Sequence, residues 1–386
     1  MRLALLASHP VQYYGPLYRA LAAHVDLTVF FAHRPMPAEQ AAAGFGVPFE
    51  WDVDIIRGYR HTFLGNVARM PGTHRFGGCD TPAIGDLLAN GRFDALLVHG
   101  WHLKTYAQAI IAARRLGLPV LVRGDSHLAT PRSTLKKAVK WASFPALLRL
   151  FAAVLYVGHL SRAYYRHYGY PPERLYFSPH CVDAEWFAAR STVAARHALR
   201  RRLGIADGVT LLLFAGKLLP FKRPLDLVAA AAICRREGRT VEVAVAGDGE
   251  LRGPLLSAAH AAHVPLHHLG FRNQSEMPAA YAASDALVLP SDSRETWGMV
   301  ANEALACGRP IILSDGCGSA VDLVGDAAAG ISFRTGDRSA LAAAIGALID
   351  NPPPTARIAA TSATYSLPAA TAGIVDALAA VTRPCR

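Results

Sequence analysis

Cysteine is scarce in this chain of 386 residues: six thiols, Cys79, Cys181, Cys234, Cys307, Cys317 and Cys385, with no C-x-x-C pair among them. So sparse a set in so long a chain builds neither a disulfide framework nor a zinc ribbon, and it fits a reduced, cytoplasmic setting. Charge is also low, at 18%, and acids are the scarcer sign: 29 Asp and Glu against 40 Lys and Arg, a surplus of +11. That surplus points to anionic partners, among them nucleotides, phosphorylated substrates, anionic lipid heads and nucleic acid. Long apolar runs are missing too. The first run, residues 3–7, is too short for a secretory signal, no cleavage-type segment follows before His9 and Pro10, and it reads as a buried strand. The richest later stretch, 141–158, is broken by Pro145 and Arg149, and no transmembrane helix is expected. What is abundant is apolar substance, 52% of the chain. This excludes a disordered or collagen-like polymer and suffices for roughly two domains.

Short apolar runs at 2–8, 27–32, 94–100, 120–125, 153–158 and 174–179 alternate with helix-like stretches such as 103–117 and 161–168. A charged, Ala-rich segment at 188–204 interrupts the alternation. A second series then runs through 209–216, 241–249, 266–271, 286–291 and 310–315. Fully apolar strands alternating with helices predict parallel sheets covered on both faces. The expected fold is therefore α/β, with two Rossmann-like doubly wound domains, 1–190 and 205–365, facing a central cleft. The tail, 366–386, reads as a small-residue apolar helix that packs back on the first domain. Ligands in such sheets sit beyond the carboxyl ends of the strands. Residues 32–92, with their Pro and Gly clusters, give no assignable pattern.

The segment 284–310 is the richest in chemistry. A buried strand ends at Ser291, Glu295 sits in the following loop, and a helix is expected to start between Thr296 and Gly298. Free N–H groups of Gly298, Met299 and Val300 would suit a phosphate. Glu303, about 7–8 Å farther along at about 1.5 Å per residue, would suit the hydroxyls of a ribose. The plainer alternative is that both glutamates decorate a helix start and an exposed face. Gly216 ends another strand and is followed by Lys217 and Lys222, two ammonium groups suited to a departing diphosphate or to a solvated loop. Gly247, Gly249 and Gly253 make G-x-G-x-x-x-G, one residue off the dinucleotide fingerprint, and no acid ends the next strand.

These elements stand in a telling order: Gly216-Lys217 with Lys222, Ala246-Gly-Asp-Gly, Leu269-Gly-Phe-Arg, Asp285-Ala-Leu-Val-Leu-Pro-Ser, and the E-x7-E pair Glu295/Glu303. Ala306-Cys-Gly-Arg-Pro and Gly318 with Asp322 complete it. The stretch resembles the donor-binding half of family 4 glycosyltransferases, retaining enzymes of the GT-B fold. Tyr156-Val-Gly, Tyr165, Tyr168-Gly and Pro179-His-Cys-Val-Asp183 resemble the end of that family's first domain. The resemblance implies Glu295 by the donor sugar, Glu303 on the ribose, and Lys217 and Lys222 on the diphosphate. It also implies Phe271 and Arg272 at the base, with Gly15, Gly216 and Gly247 in donor-binding loops.

Three departures stand out. Lys217 takes a position that is commonly Arg, losing the bidentate fork. The usual Gly-Gly loop after the first strand is replaced by residues 9–15. A strand-end His near the acceptor is replaced by Gly124 or Asp125, with His127 two residues later. Asp125 and His127 are candidates to orient acceptor or sugar; the alternative is a helix cap and an ordinary loop residue.

The resemblance implies transfer of a sugar from a nucleoside diphosphate to an acceptor hydroxyl, with no obligatory metal or cofactor, in glycan, glycolipid or glycosylated-metabolite synthesis. Rivals are a nucleotide-sugar epimerase of the same fold and a non-catalytic sugar-nucleotide-binding scaffold. His99 and His102 would flank the cleft or serve a loop. Asp52 and Asp54 match D-x-D, a metal signature of a different glycosyltransferase fold, without its surroundings. The basic, aromatic stretch 136–149 suits the surface of an anionic membrane on its inner face, or an acceptor-side helix. No nucleic-acid-binding signature accompanies the positive charge.

Overall fold

The computed structural model describes residues 1–325 and 329–382; Cys385 and the end of the tail lie outside them. Seven strands form the first sheet: β1 (Arg2–Ala7), β2 (Asp26–Phe31), β3 (Arg60–Phe63), β4 (Ala95–Val98), β5 (Val120–Gly124), β6 (Ala153–Tyr156) and β7 (Leu175–Phe177). Their order is β3-β2-β1-β4-β5-β6-β7. The second sheet holds β8 (Thr210–Ala215), β9 (Val241–Ala246), β10 (Leu266–Gly270), β11 (Ala286–Leu289), β12 (Ile311–Ser314) and β13 (Gly330–Phe333). Their order is β10-β9-β8-β11-β12-β13. All pairings are parallel, for example Leu3 with Leu27 and with Ala95. The doubly wound α/β fold expected from the alternation is what forms.

The continuous apolar runs follow from burial on both faces. In β1, Leu3, Leu5 and Ala7 enter one core, while Ala4 and Leu6 enter another. In β8, Leu211, Leu213 and Ala215 divide from Leu212 and Phe214 in the same way. The strand order reverses between β1 and β4 and between β8 and β11, so a crevice opens at each reversal.

The segment read as an interruption folds into two helices, Ala184–Arg190 and Val193–Leu203, capped by Asp183 and Thr192. Arg196 and Arg200 fasten the second helix to the second unit. Both donate to the Ala283 carbonyl and to Asp285, and Arg200 also donates to the Val209 carbonyl. By length and composition, 355–382 is apolar enough to cross a membrane. It is divided into helices Thr355–Thr364 and Leu367–Thr382. The second lays Ala370, Ile374, Ala377 and Leu378 against the β1 face of the first sheet. Gly373 permits this approach, since a Cβ there would stand 1.8 Å from the Phe177 carbonyl oxygen.

Candidate functional site

The ends of β1, β5 and β7 face the ends of β8 and β11 across an open cleft. On the second unit's side, glycine geometry sets the turns. Gly216 has φ +138°, and a Cβ on Gly247 would come within 1.9 Å of the Gly216 carbonyl oxygen. Gly247 thus supports the loop from behind and does not line the cleft. From that loop Lys217 and Lys222 enter the cleft. Lys222 pairs with Glu295 from the β11 loop, both largely buried, and the Ser291 hydroxyl donates to the same carboxylate at 3.2 Å. Burial first, then the charge of Lys222, lowers the Lys217 ammonium pKa.

The helix after β11 begins at Val300, not between Thr296 and Gly298. Gly298 has φ +90°, outside helical geometry, and Trp297 is turned inward, its indole N–H donating to Asn302 at 2.7 Å. Gly298, Met299 and Val300 still line the cleft. Glu303 is only 2% exposed, so the exposed-face reading does not hold. It accepts from the Tyr281 hydroxyl at 2.6 Å, and burial lifts its pKa to about 7. Tyr13, from the first unit, packs beside this region; its pKa is driven up by burial, then by Glu303 and Glu295.

Phe271 meets Phe49 of the first unit, ring centroids 4.3 Å apart, while Arg272 pairs with Glu276 at 2.6 Å. Alongside, the Asn273 amide donates to the Glu50 carbonyl, and the Ser275 N–H and hydroxyl donate to Asp52. Asp52 therefore serves a clasp between the units. Asp54 accepts from the N–H groups of Ile56 and Arg57. Among the described residues, no three His, Cys, Asp or Glu side chains are grouped to hold a metal.

On the first unit's side, Asp125 reaches the cleft and accepts from the Thr296 hydroxyl at 2.8 Å, with His180 Nε2 at 3.7 Å. Burial pushes the Asp125 carboxyl up, but the hydrogen bond and charge of His180, with Thr296, hold it well below the ordinary range. Ser133, not Asp125, caps the next helix, Thr134–Leu148, so the capping alternative fails. His127 is 1% exposed, does not line the cleft, and neither ring nitrogen has a hydrogen-bond partner. Gly15 lies inside the helix Tyr14–Ala22, packed against the Ile55 backbone rather than in a donor loop. His99 is held by Tyr18 at 3.2 Å and against the Tyr14 ring, and burial lowers its pKa to about 3. His102 packs on Tyr106. Neither histidine lines the cleft.

Sequence reasoning gave no role to Arg123, His180 or Tyr13, all cleft-lining, although His180 stands in the motif 179–183. Arg123 donates to the Pro179 carbonyl at 2.7 Å and the Ser178 hydroxyl at 3.1 Å, bracing the turn that carries His180. The available signal was a charged residue near the end of an otherwise apolar buried strand.

A profile of Glycosyltransferase Family 4 matches residues 12–186, and a profile of glycosyl transferases group 1 matches residues 195–364. The D-inositol 3-phosphate glycosyltransferase of Geodermatophilus obscurus is 34% identical over 194 residues, 47% of this chain and 42% of that protein. The enzyme of the same name from Xylanimonas cellulosilytica is 32% identical over 238 residues, 57% of this chain and 55% of its own. The chain thus spans about half the length of these curated relatives. Among solved structures, Anabaena HepE in complex with UDP aligns with a TM-score of 0.72 at 17% identity, covering 98% of this chain and all of that one. A glycosyltransferase from Rickettsia africae aligns with a TM-score of 0.72 at 12% identity, covering 100% and 99%. At such identities the likeness shows the fold, two facing parallel-sheet domains.

Proposed function

We propose that this chain, which belongs to the family 4 glycosyltransferases, moves a sugar from a nucleoside diphosphate to an acceptor hydroxyl with retention at the anomeric carbon. The observation that carries this is the grouping of Lys217, Lys222 and Glu295 at the ends of β8 and β11, opposite Asp125. The anomeric C–O bond breaks, and the diphosphate leaves with the electron pair. The acceptor oxygen bonds to the same face, and its proton passes to a leaving phosphate oxygen. Lys217 and Lys222 meet the charge that grows on the diphosphate, where fixed cations count most. That supply of charge is why the reading needs no obligatory metal. Glu303 accepts from the ribose, Glu295 orients the sugar, and Phe271 and Arg272 border the base. Asp125 positions the acceptor or sugar. Solved structures of the same fold hold UDP and UDP-glucose, which favours a uridine donor.

The reading extends to place: a cytoplasmic enzyme peripheral to an anionic membrane. In the helix Thr134–Leu148, Leu135, Val139 and Trp141 are exposed beside Lys136 and Lys137, and the helix carries no acid. Apolar anchors among lysines suit an anionic interface. Co-sedimentation with phosphatidylglycerol vesicles, lost in Trp141→Ser, tests it.

The deciding experiment for the activity incubates purified protein with nucleotide sugars and hydroxyl acceptors and reads the product by NMR. Transfer with retained configuration is expected. An isomerised donor without transfer would make the protein an epimerase, and neither product would make it a scaffold.

A further inference from the structure

Residues 44–52 of the first unit cross the ends of three strands of the second. Gly44 stands against Lys217, which follows β8: a Cβ on it would meet the Lys217 side chain at 3.3 Å. Gly46 stands against Asp248, which follows β9, at 3.7 Å by the same measure. Phe49 then packs on Phe271, which follows β10, with ring centroids 4.3 Å apart, and Trp51 meets Phe49 at 4.9 Å. The crossing is pinned at its far end. The Asn273 amide donates to the Glu50 carbonyl at 2.7 Å, and the Ser275 N–H donates to Asp52 at 3.1 Å.

The pin reaches the donor side through one residue. Gln274, which stands between Asn273 and Ser275 in the chain and is buried, donates to the Glu303 carboxylate. It also lines a small cavity with Gln12, Tyr13, Val53 and Asp54 of the first unit. Ligands of parallel sheets bind beyond the carboxyl ends of the strands, so a nucleotide at the ends of β8 and β10 lies beside this crossing. A nucleobase has flat π-faces, and an aromatic ring is the side chain that matches them. Phe49 and Phe271 are both partly exposed, so the pair keeps surface for a base.

We propose that residues 44–52 are a strap that completes the nucleoside site. Phe49, from the first unit, packs against the base of the bound nucleotide, and the clasp at Glu50 and Asp52 holds it there. The inference rests on the donor reading and adds that the base is held by both units and leaves when the strap lifts.

The test measures binding of UDP and of inorganic pyrophosphate by calorimetry, and dissociation of UDP by stopped flow, on the unaltered protein, Phe49→Ala and Asp52→Ala. Phe49→Ala should bind UDP about tenfold more weakly, the scale of losing one aromatic platform for a base. Pyrophosphate has no base and should bind all three proteins equally. Asp52→Ala keeps Phe49 but loosens the end of the strap, so UDP should dissociate about threefold faster, as loss of one exposed contact allows. Asp52 is exposed, so its variant keeps the test open if Phe49→Ala fails to fold. UDP affinity and dissociation unchanged in both variants, or UDP and pyrophosphate weakened by the same factor, would overturn the strap. UDP failing to bind the unaltered protein would instead overturn the uridine-donor reading.

Discussion

On the second unit's side of the cleft, the polar groups are set by strand ends and already have partners: Lys222 on Glu295, Tyr281 on Glu303, Trp297 on Asn302. On the first unit's side, β1 runs into residues 8–13 and β2 into the segment 32–59, and His9, His33 and His74 gather on loops around a second cavity. The contrast matches the division of labour in the proposed reaction. Departure of a diphosphate demands the same fixed charges for any acceptor, and rigid strand ends hold such charges accurately. Choice of acceptor tolerates variation, which loops supply.

The sharpest break of this contrast is Lys222→Ala. It should cut kcat about 10²–10³-fold, the scale of losing one preorganised charge at a developing anion. The donor KM should move much less, and an effect confined to KM would leave Lys222 a ground-state contact only. Asp125→Asn comes next. It keeps an acceptor for Thr296 but removes a charge that the fold favours, so some stability is lost at neutral pH, while turnover of the folded protein should fall roughly 10–100-fold. Activity lost only in step with stability would return Asp125 to a structural role.

Glu303→Gln tests the donor side through two opposed readouts. The carboxyl titrates at about 7 when folded against an ordinary 4.5. The folded state therefore holds the proton more tightly, and wild-type stability declines as pH rises from 4.5 to 7. Above that range the variant should be more stable by about 2–3 kcal/mol, because it has no charge to bury. Donor binding should move the other way: about tenfold weaker in the variant at alkaline pH, where the wild-type carboxylate is ionised. Wild-type affinity should rise with pH through 7, and the variant's should not. The smallest effect belongs to the clasp. Asp52→Ala, at an exposed contact with Ser275, should cost under about 1 kcal/mol in thermal unfolding.

The same contrast governs what the sequence made legible. Central parallel strands such as β1, β8 and β11 are buried on both faces and announce themselves as apolar runs. The edge strands β3 and β13 were not read: with one neighbour each and partial exposure, Arg60–Phe63 carries polar residues and Gly330–Phe333 begins on a glycine. Glu295, Lys217 and Lys222 could be named because their spacing is tied to strand ends. The helix start at Val300 was misplaced by two to four residues because an inward Trp297 and a left-handed Gly298 extend the loop, a tertiary effect. His127 and Gly15 sit close in sequence to cleft residues, but neither lines the cleft; Gly15 is turned against the Ile55 backbone, packing that no local pattern encodes. The anchoring of Arg196 and Arg200 on Asp285 was hidden for the same reason.

The central claim is that the cleft between β8, β11 and β5 receives a nucleoside-diphosphate sugar. A thermal-shift panel of UDP-, GDP-, ADP- and dTDP-sugars tests it most directly, on the unaltered protein and on Lys222→Ala, because a ligand bound only by the folded state raises the melting temperature. The account predicts that one donor, a UDP-sugar, raises it and that the rise shrinks in the variant. A panel without any shift, or a shift of equal size in Lys222→Ala, would contradict it.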